Sequence, residues 1–194
     1  MDMSIDKTPL STNCIKDLAF RTMYETGRTA QVAREFQRYG LDILGLAKVR
    51  WINSGRVTLA TGETLLYSGQ SGDTAHHIIG VGLMMNKKAF RSLLVWEPVS
   101  DRIITARFQS SFQKMTIIQM IQCYAPTNQA DPDDKVIFYQ QLQSVIDNTA
   151  RRNIILLIGD MNAKVGSDCT DREFTMGNEG LLEKKVRCEL LWPE

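Results

Sequence analysis

Between residues 79 and 123 the chain carries four strand-like runs, Ile79–Met85, Leu93–Val99, Arg102–Phe108 and Met115–Cys123. Connectors such as Ser100–Asp101 and Gln109–Gln113 are too short to hold a crossover helix, so these runs are expected to form an antiparallel meander. Arg102–Phe108 (RIITARF) alternates partly between polar and apolar residues, which leaves one of its faces for solvent. Met120-Ile121-Gln122 repeats the sense of the preceding residues after Ile118-Gln119. A shift of three residues changes strand parity, so side chains beyond it swap faces unless a bulge absorbs the change.

Helical periodicity interrupts this pattern at two separate places. From Thr26 to Gly40, Ala30, Ala33 and Phe36, with Val32 and Tyr39, recur at spacings of three and four, and Gly40 suits the residue after a helix end. Asp131-Pro132-Asp133-Asp134 reads as a helix start, with an N-cap aspartate, proline at the first helical position and acids in the first turn. Val136, Tyr139, Leu142 and Val145 or Ile146 give that helix its expected apolar stripe to about Ala150. Leu41–Ala47 and Asn153–Ile158 are almost wholly apolar and read as buried strands, and Thr64–Ser68, after a Gly62–Glu63 turn, as a weaker one. Hairpin-linked strands with two inserted helices imply α with mixed or antiparallel β. The alternative is a doubly wound parallel sheet, which the lack of a glycine-rich phosphate loop after any strand disfavours.

Composition narrows the function classes. Lys+Arg 23 against Asp+Glu 22 leaves a net charge of +1, so bulk electrostatics alone would not hold the chain on nucleic acid. No apolar run approaches the ~20 residues of a membrane helix. The start, MDMSIDKTPL, has no basic or apolar signal region, so an intracellular, nuclear or cytoplasmic protein is expected, not a secreted or membrane one. Cys14, Cys123, Cys169 and Cys188 are far apart with no zinc-type spacing, and His76 and His77 lack a third ligand at helical spacing. The thiols are expected to be reduced.

The densest chemistry lies at Ile158-Gly159-Asp160-Met161-Asn162. A buried strand runs into a glycine, and a carboxylate and an amide follow at the strand's open end, where a rigid element can present catalytic groups. Aspartate and asparagine are equally at home in a structural turn, and the stretch by itself leaves both readings open.

Read with Tyr124-Ala125-Pro126-Thr127, with Leu41–Leu46 leading into Val49-Arg50-Trp51, and with Gly159–Gly166, this stretch resembles the endonuclease/exonuclease/phosphatase family. Within it the likeness is to the endonuclease domains of non-LTR retrotransposons and to craniofacial development protein 2-like sequences. Arg21–Gly27, Gly80–Met84 and Trp96–Ser100 add matching text, so the resemblance runs in order over about residues 15–180. It implies a four-layer α/β/β/α sandwich that cleaves DNA phosphodiesters with Mg²⁺ at one end of two packed sheets. Carried over by position, it implies catalytic roles for Tyr124, Asp160 and Asn162.

Departures from the family pattern are as specific as the matches. The usual metal-binding glutamate position holds Lys48, whose ammonium offers a cation no lone pair. Ala19 stands where an asparagine is expected. The closing aspartate-tyrosine and serine-aspartate-histidine motifs have no counterpart, and His76 and His77 cannot replace the last histidine. The fold is accordingly expected to be an incomplete sandwich, with a flexible leader at 1–13, a partial domain at 14–180 and a divergent, helix-spaced tail at 181–194. Lys48 is expected to pair with Asp160 in a vacated metal site, with a solvated surface position as the alternative.

Residues 16–56 hold eight basic side chains against four acidic ones. Arg28, Arg34 and Arg38 fit a solvated helix face, whereas Arg21 and Arg50 lie near the expected site and are candidates to bind phosphate. The reading is of a truncated, catalytically deficient retroelement-type endonuclease that does not bind Mg²⁺ competently. Two alternatives stand beside it: an interaction module for nucleic acid or protein, with weak, sequence-independent DNA contact, and an active hydrolase that recruits another carboxylate.

Overall fold

The computed structural model describes residues 27–72, 79–110 and 116–162, together with the backbone of 15–18. The leader, the tail, Ala19, Arg21, His76 and His77 lie outside the described residues. Two sheets pack face to face. The first has the order β1-β2-β5-β4-β3, built from β1 (Ile15–Leu18), β2 (Ile43–Ala47), β3 (Ser54–Thr58), β4 (Thr64–Ser68) and β5 (Val81–Met85). The second has the order β6-β7-β8-β9, built from β6 (Leu93–Ser100), β7 (Ile103–Gln109), β8 (Ile117–Tyr124) and β9 (Ile154–Asp160). β1 runs parallel to β2 and β9 parallel to β8, and the other pairings are antiparallel.

Period-two alternation explains the layering. Ile43, Leu66, Leu83 and Met85 of the first sheet meet Ile104, Ala106, Phe108 and Met120 of the second in the central core. The opposite face of the first sheet, Leu44, Leu46, Leu65 and Met84, is covered by Val32, Ala33 and Phe36 of α1 (Arg28–Arg38). The opposite face of the second sheet, Ile103, Ile121 and Cys123, is covered by Phe138 and Leu142 of α3 (Pro132–Asp147). The result is the α/β/β/α sandwich that the family resemblance implies.

The helix ends fall where the sequence signals place them, but Ala30 and Tyr39 are exposed, so the buried stripe of α1 is Val32, Ala33 and Phe36. Gly40 turns the chain out of α1 at φ 60°, and the Asp131 carboxylate accepts from the Asp133 N–H at 2.8 Å to cap α3. Arg28, Arg34 and Arg38 are exposed, with Arg38 paired to Glu35 at 2.6 Å, as a solvated face requires.

Several expectations need correction, among them the solvated face of Arg102–Phe108, where only Arg107 is exposed. The strand at 79–85 does not join the meander: β5 pairs with β2 and β4 in the first sheet, and only β6–β8 form the run of hairpins. The connector between β5 and β6 is a short helix, α2 (Lys87–Ser92), capped by Asn86 accepting from the Ala89 N–H at 2.8 Å, and it carries the chain from one sheet to the other. Val136 is 53% exposed, so the stripe of α3 is centred on Phe138 and Leu142. β9 is not buried throughout, for Ile154, Ile155 and Leu157 are exposed on the last strand of the described sheet. The sequence carries no sign of β3, because Ser-Gly-Arg at its start lacks an apolar run.

Candidate functional site

Strand ends gather on one side of the sandwich and form a mouth, among them β2 at Ala47, β4 at Ser68, β6 at Ser100, β7 at Ile103, β8 at Tyr124 and β9 at Asp160. Parallel pairing of β8 with β9 sets Tyr124 beside Asp160. The sequence alone could not determine this adjacency, because α3 intervenes between the two residues.

The two strand ends are locked together by short-range hydrogen bonds. The Ala125 N–H donates to the Asp160 carbonyl at 2.9 Å. The Asn162 backbone N–H donates to Asp160 Oδ1 at 3.0 Å, and Asn162 Nδ2 donates to the Ala125 carbonyl at 2.6 Å. This is an aspartate turn, and it holds the Asp160 carboxylate in a fixed direction. Asn162 reaches it by adopting φ 46°, a left-handed conformation that asparagine tolerates better than most residues. Gly159 has φ 139°, and a Cβ there would overlap the Cys123 carbonyl oxygen, so the turn into Asp160 demands glycine.

Lys48 and Arg50 follow β2 at the same end. Both are left-handed, at φ 59° and 60°, and Asn53 in the same loop has φ 61°. Non-glycine residues in this region cost about 1–2 kcal/mol each, and such strain gathers at functional loops. The loop is anchored from both sides: the Val49 N–H donates to the Gly80 carbonyl at 2.9 Å, the Asn53 N–H to Gln70 at 2.8 Å, and Trp51 packs edge-on to Tyr67 at 4.9 Å.

No ion pair joins Lys48 to Asp160, contrary to expectation. The Lys48 ammonium lies instead over the Tyr124 ring, 5.0 Å from its centroid. Tyr124 and Asp160 end adjacent strands, and of these two neighbours the ammonium takes the ring. Arg102 meets the same ring, its guanidinium carbon 5.6 Å from the centroid and Nη1 donating to the Tyr124 carbonyl at 3.2 Å. Tyr124 is only 7% exposed, so a buried aromatic ring carries two cations.

The sequence marks Arg102 only as a strand residue. Its position just after the Ser100–Asp101 turn was the available signal, since that hairpin returns the chain to the mouth. Beside it a polar cleft of about 490 Å³ is lined by Ser54, Ser68, Gln70, Ser71, Ser100 and Asp101 among others, and Ser68 Oγ bridges the sheets by donating to the Ser100 carbonyl at 2.6 Å. Burial pushes the Asp101 carboxyl above its ordinary value, with Asp134 adding to the rise. The Arg102 charge, its own backbone N–H and the Gln70 side chain only partly oppose it.

The Mg²⁺ implied by the family resemblance needs several oxygen ligands. At this mouth Asp160 contributes one carboxylate, Lys48 and Arg102 crowd the adjacent ring, and no group of three metal-ligating side chains gathers among the described residues. The described residues therefore do not fit a divalent cation. No described helix is long and apolar enough to cross a membrane.

No protein-family model matches the sequence. Over 154 residues, 79% of the chain, it is 32% identical to craniofacial development protein 2 of Bos taurus and, to the same extent, of Tragulus javanicus. The matched region spans a quarter of the length of these relatives. Among solved structures, ANGEL2, described as a 2′,3′-cyclic phosphatase, superposes with a TM-score of 0.51 at 16% identity, covering 78% of this chain and 47% of that one. D. rerio TDP2 complexed with a single-strand DNA product superposes with a TM-score of 0.50 at 15% identity, covering 78% and 61%. Such low identities speak to the fold, and the fold agrees with the sequence relationship. The chain is thus related in sequence to craniofacial development protein 2 and has the fold of the endonuclease/exonuclease/phosphatase proteins.

Proposed function

We propose that this chain is an endonuclease-like domain of retroelement descent whose mouth contacts nucleic-acid phosphates without hydrolysing them. The observation that carries the reading is Lys48, which brings an ammonium to the Tyr124 ring where the family resemblance implies a metal-binding carboxylate. Relative to a glutamate this moves the local charge by two units and removes the oxygen donor. Tyr124, Asp160 and Asn162 are the proposed site residues, and Arg21, Arg50 and Arg102 the proposed phosphate contacts. Asp160 retains a fixed direction but has no carboxylate partner among the described residues with which to hold Mg²⁺, and Asn162 uses its amide nitrogen on the Ala125 carbonyl. In-line attack on phosphorus needs charge stabilisation and an oriented water together, and the loss of one such group commonly costs ~10³-fold or more in rate.

Contact with nucleic acid is supported by the excess of cations at the mouth and by a neighbour of the same fold, D. rerio TDP2, having been solved with a single-strand DNA product. The proposed contacts are to phosphate, so binding is independent of sequence and weakens with salt. The test is nicking of supercoiled and abasic plasmid with Mg²⁺, beside filter retention of the same DNA over a salt series. Retention that falls with salt, and no nicking that Asp160→Ala removes, is the expected result. Nicking abolished by Asp160→Ala would overturn the reading in favour of an active hydrolase.

A further inference from the structure

We infer that Lys48 and Arg102 frame a metal-independent site for a phosphate monoester dianion on the face of Tyr124. The inference rests on the proposed contact between this mouth and nucleic acid, and narrows it from backbone phosphate in general to a terminal phosphate.

Two cations share one buried ring, at 5.0 and 5.6 Å from its centroid. Like charges brought to one place repel, and a ring quadrupole returns only about 0.5–2 kcal/mol per contact. An anion within reach of both turns that repulsion into attraction. Both side chains keep donors for it. Lys48 has no carboxylate or hydrogen-bond acceptor among the described residues, so its three N–H groups are uncommitted. Arg102 commits Nη1 to the Tyr124 carbonyl, and the remainder of its donor fork is available for oxygen.

The surroundings favour a dianion over the single charge of a diester link. Two cations match two charges, whereas a diester link brings only one. The Asp160 carboxylate is drawn toward the Asn162 N–H. Left-handed Lys48 and Arg50 hold the loop in a strained shape that a bound ligand can repay. A divalent cation is the wrong occupant, because the same two side chains would repel it.

Free inorganic phosphate and the phosphorylated end of a nucleic-acid strand present the same group. The test uses the full chain in EDTA and measures fluorescence anisotropy with one single-stranded DNA carrying either a 5′-phosphate or a 5′-hydroxyl, with inorganic phosphate as competitor. The phosphorylated strand is expected to bind about tenfold more tightly, the equivalent of ~1.4 kcal/mol. Lys48→Asn should reduce that preference to near unity while keeping a residue that accepts φ 59°, and Arg102→Lys, which keeps the charge but not the fork, should reduce it in part. Displacement by millimolar phosphate identifies the free anion as a sufficient ligand and supports the site.

Equal binding of the two ends overturns the inference and leaves nucleic-acid contact standing. Binding of neither end overturns both. A preference that needs Mg²⁺, or that survives Lys48→Asn, overturns the inference alone.

Discussion

Gln122 is the least comfortable side chain in the core. It is fully buried between the sheets, its Nε2 donates to the Cys123 carbonyl at 3.3 Å, and its Oε1 has no hydrogen-bond partner among the described residues. β8 pairs with β7 and β9 without a register shift, so no bulge absorbs the odd spacing of Gln119 and Gln122, and the two face opposite sides of the sheet. Gln122 fits only because β2 presents Gly45 to it, where a Cβ would overlap its amide oxygen. A buried acceptor left unpaired costs about 1–3 kcal/mol, more than one weak hydrogen bond returns. Gln122→Met, close in volume, is expected to raise stability by about 1 kcal/mol, read as a higher urea midpoint at unchanged slope. A fall of that size would mean that the amide is satisfied in solution. At this scale the sequence revealed the parity problem but not its outcome, because a bulge and a buried glutamine produce the same local pattern.

Among the elements, α1 and the β3–β4 turn are tied by Glu63. Its carboxylate accepts from Gln37 Nε2 of α1 at 2.7 Å and from Thr61 Oγ1 within the turn. Burial alone would raise this carboxyl. The Thr61 and Gln37 hydrogen bonds, its own backbone N–H and the nearby Lys87 charge outweigh burial and hold it below 4.5. A carboxyl depressed in the fold binds protons more readily when unfolded. Its stabilisation is therefore complete above the ordinary value and is lost as pH falls from there through the folded value. Glu63→Gln should lower stability at neutral pH by about 1 kcal/mol and flatten the acid slope of Tm below about pH 5, measured by thermal melts across pH. An unchanged acid slope would remove Glu63 as its source. The elements themselves were largely legible: α1, α3, β2, β4 and β9 follow from periodicity and caps. α2 was not, since six residues show too little of a 3.6-residue period, and β3 was not, since an edge strand of small and polar residues carries no apolar signature.

For the whole molecule, β9 is the exposed boundary of the described second sheet. Ile154, Ile155 and Leu157 are 50%, 38% and 38% exposed along a seven-residue strand without a charge before Asp160. Long apolar edges invite pairing between chains. Leu157→Thr keeps β propensity while reducing apolar surface, and is expected to lower concentration-dependent light scattering on mild heating with Tm changed little. Equal scattering by the variant and the parent would place the aggregation-prone surface elsewhere.

Sequence by itself determined most of the strands and helices, the apolar faces of many of them, and the family that the chain resembles. It also placed Tyr124, Asp160 and Asn162 at strand ends, and Lys48 at a position where a carboxylate was expected. Only the tertiary structure decided that β5 crosses to the first sheet, that Tyr124 stands beside Asp160, and that Lys48 meets Tyr124 and not Asp160. The physical reason is that alternation of apolar residues records how much of a face leaves water, a local and non-directional quantity. Which element covers that face, and which of two nearby groups a long cationic side chain reaches, depends on pairings between residues far apart in the chain.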